Sequence, residues 1–79
     1  MEETAKAVRE IIAGVAKRQP SDVSGSTKLA EDLGMKSISR IELAALLEVR
    51  FGVVIGNFEI RKPKTVDDIT ALISEKQNT

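Results

Sequence analysis

Asp32-Leu33-Gly34-Met35-Lys36-Ser37-Ile38 runs on into Ser39-Arg40-Ile41-Glu42-Leu43-Ala44-Ala45-Leu46-Leu47-Glu48-Val49-Arg50-Phe51, a glycine-containing turn followed by a strongly apolar stretch. Between Ser37 and Phe51 the apolar residues cover most of a helix circumference, with Ser39, Arg40, Glu42, Glu48 and Arg50 scattered among them. A helix of this kind is expected both to be central and to keep a second apolar face for a partner. Ser37 stands at its start. The chain has no His and no Cys, so Ser37 is the best candidate for any covalent chemistry.

Outward from this helix the pattern stays helical. Before it, Ala5, Val8, Ile11, Ile12, Val15 and Ala16 form one stripe, predicting a first helix from Glu2 to about Lys17. Glu2 and Glu3 suit its positive end, Lys17 and Arg18 its negative end, and Pro20 blocks continuation. Gln19 to Lys28, rich in Pro, Ser, Asp and Gly, reads as a long loop anchored by Val23 and Leu29. After the central helix, Gly52 serves as a C-cap, and Val53-Val54-Ile55 has no second strand to pair with. That segment is expected to be an apolar loop on the core. Asn57 is suited to cap a short helix through about Arg61, which Pro63 closes. Thr65-Val66-Asp67-Asp68 opens a last helix to about Lys76, with Val66, Ile69, Leu72 and Ile73 in register. The expected fold is all-α: a small bundle of three longer helices and one short one, with a long loop between the first two, in one domain spanning residues 1–79.

Composition narrows the function classes. A chain of 79 residues buries only about 60–65% of the surface its unfolded form exposes, so the core is thin. Without Cys or His, neither disulfides nor the usual zinc ligand sets can reinforce it. The 12 basic and 12 acidic residues cancel and are interspersed, leaving no footprint for nucleic acid or an anionic membrane. No apolar run approaches membrane-spanning length, and the acidic start Met1-Glu2-Glu3-Thr4 does not read as a secretory signal. The expectation is a soluble, cytoplasmic, monomeric protein that meets proteins or small molecules.

Serine is a favoured N-cap, so an ordinary duty for Ser37 would be to satisfy an orphan backbone N–H. A self-sufficient serine nucleophile needs a base within hydrogen-bond reach, usually His, and there is none. Lys36 is adjacent, but a solvated lysine is protonated at neutral pH and cannot take a proton. Ser37 therefore reacts only if an external enzyme activates it, and a helix N-terminus favours a phosphate on its oxygen. The position suits modification rather than catalysis.

At this point the sequence resembles the acyl carrier proteins. The matching residues are Asp32-Leu33-Gly34, Ser37-Ile38, Ile41-Glu42-Leu43, Leu47-Glu48, Phe51-Gly52, Ile55 and Thr65-Val66-Asp67-Asp68-Ile69, and the likeness covers residues 5 to 75. The resemblance implies that Ser37 carries a 4′-phosphopantetheine arm, attached as a phosphodiester by a phosphopantetheinyl transferase using coenzyme A. The arm's thiol would hold acyl groups as thioesters for acyl-loading and acyl-using enzymes, and the protein itself would catalyse nothing. Two alternatives stand beside it: a peptidyl or aminoacyl carrier, whose arm is the same, and an unmodified helical interaction domain in which Ser37 is only a cap.

The family's usual motif has Asp immediately before the serine, whereas this chain has Lys36. From Lys36 to Phe51, three cations (Lys36, Arg40, Arg50) face two acids (Glu42, Glu48), a net of +1 where family members present an acidic helix to basic enzyme patches. Like charges slow association and disfavour the wrong partner. Lys36 and Arg40 thus suggest a specialised lipid or secondary-metabolite pathway, or are tolerated surface residues. Ile38, Ile41 and Ala45 fall within about 60° of arc at about 100° per residue and form a candidate partner strip, with core packing as the other use of Ile41. The interior is expected to be aliphatic, to take in Phe51, Phe58, Ala44 and Ala45, and partly to shelter an acyl chain between the second and third helices.

Overall fold

Glu2–Ala16 forms helix α1, with Ala7, Val8, Ile12 and Ala13 turned inward, in a computed structural model that describes residues 2–78. The helix ends in a Schellman turn. Arg18 N–H donates to Ala13 O at 2.9 Å and Lys17 N–H to Gly14 O at 3.3 Å, with Lys17 left-handed at φ 59°. A single 3-10 turn, Pro20–Asp22, follows.

The long loop then runs alongside the entrance of the last helix instead of spanning open surface. Val23 and Leu29 are buried as its anchors. Leu29 N–H donates to Lys64 O at 2.9 Å, Val66 N–H to Thr27 O at 3.1 Å, and Asp67 N–H to Gly25 O at 2.9 Å. These bonds satisfy backbone groups that the packed loop would otherwise leave without water.

Helix α2 covers Ser37–Phe51 and is closed by Gly52 at φ 66°, whose N–H donates to Glu48 O at 2.8 Å. Val53 to Ile55 is not a strand: the Glu48 carboxylate accepts from Ile55 N–H at 2.8 Å, which turns Ile55 into the core and leaves Val54 outside. Helix α3 is Asn57–Arg61, with Gly56 at the cap position expected for Asn57. The reason is local, since the Glu59 carboxylate accepts from Gly56 N–H at 2.9 Å and fixes the helix start one residue earlier. Helix α4, Val66–Gln77, is capped by Thr65 as its sequence predicts. Thr65 Oγ1 accepts from Asp68 N–H at 3.2 Å, and the Asp68 carboxylate accepts from Thr65 N–H at 3.1 Å and Lys64 N–H at 3.0 Å.

Val8, Ile12, Leu29, Leu43, Leu47, Ile60, Val66, Ile69 and Ile73 are fully enclosed in one core to which all four helices contribute. The protein is thus an all-helical bundle of three long helices and one short one, as expected from the sequence. Two expected interior residues lie outside it. Ala45 is exposed, because α2 turns Leu43, Ala44 and Leu47 inward; Phe58 is 79% exposed, because Ile60, two residues on, takes the inward face of the short α3.

Candidate attachment site

Ser37 is held out of the bundle by what precedes it. The Asp32 carboxylate accepts from Lys28 N–H at 2.9 Å, while Asp32 N–H, Gly34 N–H and Met35 N–H donate to Lys28 O, Ala30 O and Leu29 O at 3.0 Å each. Gly34 reverses the chain at φ 66°, a conformation that costs a residue with Cβ about 1–2 kcal/mol. On either side of it Leu33 and Met35 are buried. With both neighbours of the glycine pinned in the core, Lys36 and Ser37 emerge on the surface.

Lys36 is extended at φ −106° and ψ −177° and occupies the N-cap position, without a side-chain cap. Ser37 is the first helical residue and exposed, and its hydroxyl makes no hydrogen bond among the described residues. The competing reading of Ser37 as the cap is therefore not met: Lys36 holds that position. The burial of Met35 sets the phase of the chain so that Lys36 is the half-helical residue. The hydroxyl has no structural task to be diverted from, and Asp32, the nearest acid before it in sequence, is committed to its own turn.

Around the hydroxyl lies an open hollow of about 370 Å³ lined by Met35, Lys36, Ser37, Arg40 and Arg61. No acid lines it. Arg40 sits one turn after Ser37, and its Nη1 reaches the carbonyls at the end of α3: Pro63 O at 2.6 Å, Ile60 O at 3.0 Å and Arg61 O at 3.5 Å. Burial pushes its guanidinium down from the usual value, yet arginine remains a cation at neutral pH. Here a cation meets the negative end of a helix and carbonyls that lack intrahelical donors. This tie was not legible in the sequence, because it depends on where α3 is placed 20 residues further along. Lys36 and Arg61 make no ion pair or hydrogen bond with their side chains among the described residues.

On the outer side of α2, Ile38 is 80% and Ile41 50% exposed, and Ala45 is exposed with them, which leaves the strip free of core packing. Phe58 and Val54 are further exposed apolar side chains that the sequence reading placed elsewhere. Between α2 and α3, Leu43, Leu47, Ile55 and Ile60 are all buried in the core cluster. An open apolar groove of about 430 Å³ lies between α1 and α2, lined by Ile11, Gly14, Val15, Glu42, Leu46, Val49 and Arg50.

Comparison with known proteins shows the family of the chain. The model of the family described as "Phosphopantetheine attachment site" matches residues 6–73. The chain belongs to the acyl carrier proteins. The acyl carrier protein of Thermosynechococcus vestitus is 38% identical over 69 residues, 87% of this chain and 85% of that protein. Those of Petrotoga mobilis and Rickettsia canadensis are 34% and 32% identical over 71 residues, 90% of this chain and 84% and 83% of theirs. Membership brings a covalently attached 4′-phosphopantetheine, and the residues present fit one: an exposed hydroxyl without a partner opens onto a hollow with no acid to repel a phosphate. No helix among the described residues is long and apolar enough to cross a membrane.

Proposed function

We propose that this acyl carrier protein bears its 4′-phosphopantetheine on Ser37 and is itself no enzyme. When bound, the group supplies a thiol that holds acyl groups as thioesters. The observation that carries the assignment is the Ser37 hydroxyl, exposed at the first residue of α2 and without a hydrogen bond among the described residues. In loading, a bond forms between Ser37 Oγ and the pantetheine-bearing phosphorus of the coenzyme A diphosphate, the P–O–P linkage breaks, and the nucleotide half leaves as the bisphosphate. The hydroxyl proton passes to a base on the phosphopantetheinyl transferase, since this chain offers none at the site.

The protein works as one cytoplasmic, monomeric domain over residues 1–79, and serves a specialised lipid or secondary-metabolite pathway. Lys36, Ile38, Arg40, Ile41 and Ala45 form the partner surface. The cations around Ser37 select enzymes less basic than those that an acidic helix would attract, by like-charge repulsion of the others.

Intact-mass measurement after incubation with coenzyme A and a broad-specificity transferase tests both points. The wild type gains the mass of one phosphopantetheine and Ser37→Ala gains none; an unmodified wild type, or a modified Ser37→Ala, refutes the assignment. Lys36→Asp loads at a changed rate with at least one of several transferases, and equal rates throughout would remove the electrostatic basis for partner choice.

A further inference from the structure

We infer that Lys36 and Arg61 form an anion subsite for the phosphodiester on Ser37, holding the root of the prosthetic group against the protein between the start of α2 and the end of α3. The inference rests on Ser37 as the attachment point. Three cations, Lys36, Arg40 and Arg61, line the same hollow as the serine, and no acid does. Arg40 is already committed to the carbonyls of Ile60 and Pro63. Lys36 and Arg61 have no partner among the described residues, so both are available to an incoming anion.

A phosphodiester bonded to Ser37 Oγ puts one negative charge into this hollow at neutral pH. Phosphate oxygens accept charge-assisted hydrogen bonds that are stronger than neutral ones, and a guanidinium matches two of them at once. Arg61 belongs to the other helix, so its contact ties the group to α3 as well as to α2. In the apo protein the hollow gathers cations with no acid among its lining residues; on loading, like charges around it gain an anion between them. The loaded form is therefore more stable than the apo form, and the difference is electrostatic.

The test compares apo and loaded protein, each verified by intact mass, in thermal unfolding at low and high sodium chloride. Loading raises Tm by about 2–6 °C at low salt, the size that one or two exposed charge pairs give in a domain of this length, and the gap shrinks at high salt. The Arg61 Nε–H resonance of the wild type shifts on loading. In Arg61→Gln and Lys36→Gln the gap is reduced, and in the double variant it is lost. A loaded wild type with no salt-sensitive gap and no Arg61 shift overturns the subsite while leaving Ser37 as the attachment point. A gap retained in the double variant assigns it to the start of α2 alone and also overturns it. Absence of the added mass refutes the attachment to Ser37 itself. Arg40 is left intact throughout, because its loss would free α3.

Discussion

Lys17 holds a left-handed conformation that glycine adopts without a Cβ clash. Its N–H completes the Schellman turn at the end of α1, so the backbone geometry must be kept whatever the side chain. Lys17→Gly is expected to stabilise the protein by about 0.5–1 kcal/mol, after the extra chain entropy of glycine is subtracted. In a domain this small that is a rise of roughly 2–8 °C in Tm, and an unchanged or lower Tm would show that the lysine stem contributes contacts worth more than the strain. Single residues were legible in the sequence to different depths. Ser37 stood out because no His or Cys competes with it, while the competing reading of it as a cap rested on residue preference alone. The buried Leu33 and Met35, which fix the phase of the chain and make Lys36 the cap residue, act through tertiary packing that preference does not contain. Arg40 was read as surface charge for the same reason.

Among the elements, α4 has the most complete start, and its capping carries a pH dependence. The hydrogen bonds from Lys64 N–H and then Thr65 N–H hold the Asp68 carboxyl below its ordinary value of 3.8. Glu59 is likewise lowered from 4.5, first by its bond with Lys76 Nζ at 2.8 Å and then by Gly56 N–H. As pH falls, the unfolded chain takes up these protons before the native state does, so the native state binds fewer and stability rises with pH. The contribution is fully present above about pH 5 and is lost as pH drops through 4 toward the lowered native values. Thermal unfolding from pH 6 to 2 should show a falling Tm whose slope is shallower in Asp68→Asn than in the wild type; equal slopes would mean that the box does not couple to protonation. Helix starts and stops were legible because caps are local. Asn57 was misplaced by one residue because the deciding group, Glu59, reaches back to Gly56 from inside the helix.

At the scale of the whole molecule, one continuous core holds four helices together, and the sheltering of cargo in it is the expectation to test. The helical periods identified which faces would build it, and Val8, Ile12, Leu43, Leu47, Ile69 and Ile73 are all enclosed as their spacing requires. What periodicity could not reveal is that the long loop is bonded to the entrance of α4, and that Phe58 and Ala45 are excluded from the interior. Each methylene of a sheltered chain contributes about 0.8 kcal/mol, whereas parting buried side chains forfeits close packing, so sheltering is expected to be partial. Acylation should shift the NMR signals of Leu47, Ile55 and Ile69. If those signals stay still while others around the groove of Ile11, Val15, Leu46 and Val49 move, the chain lies between α1 and α2 instead.

The bond from Arg40 to the far end of α3 has a practical consequence for anyone who rebuilds this surface. Replacing the outer residues of α2 with those of an acidic carrier, in order to redirect the protein to other enzymes, would remove the strut that fixes a five-residue helix which has too few internal hydrogen bonds to hold itself. A chimera of that kind would lose activity through a slackened α3 and be misread as a failure of recognition. In the proposed partner surface Arg40 also serves the architecture, so Lys36 is the position at which the surface charge can be changed without freeing α3.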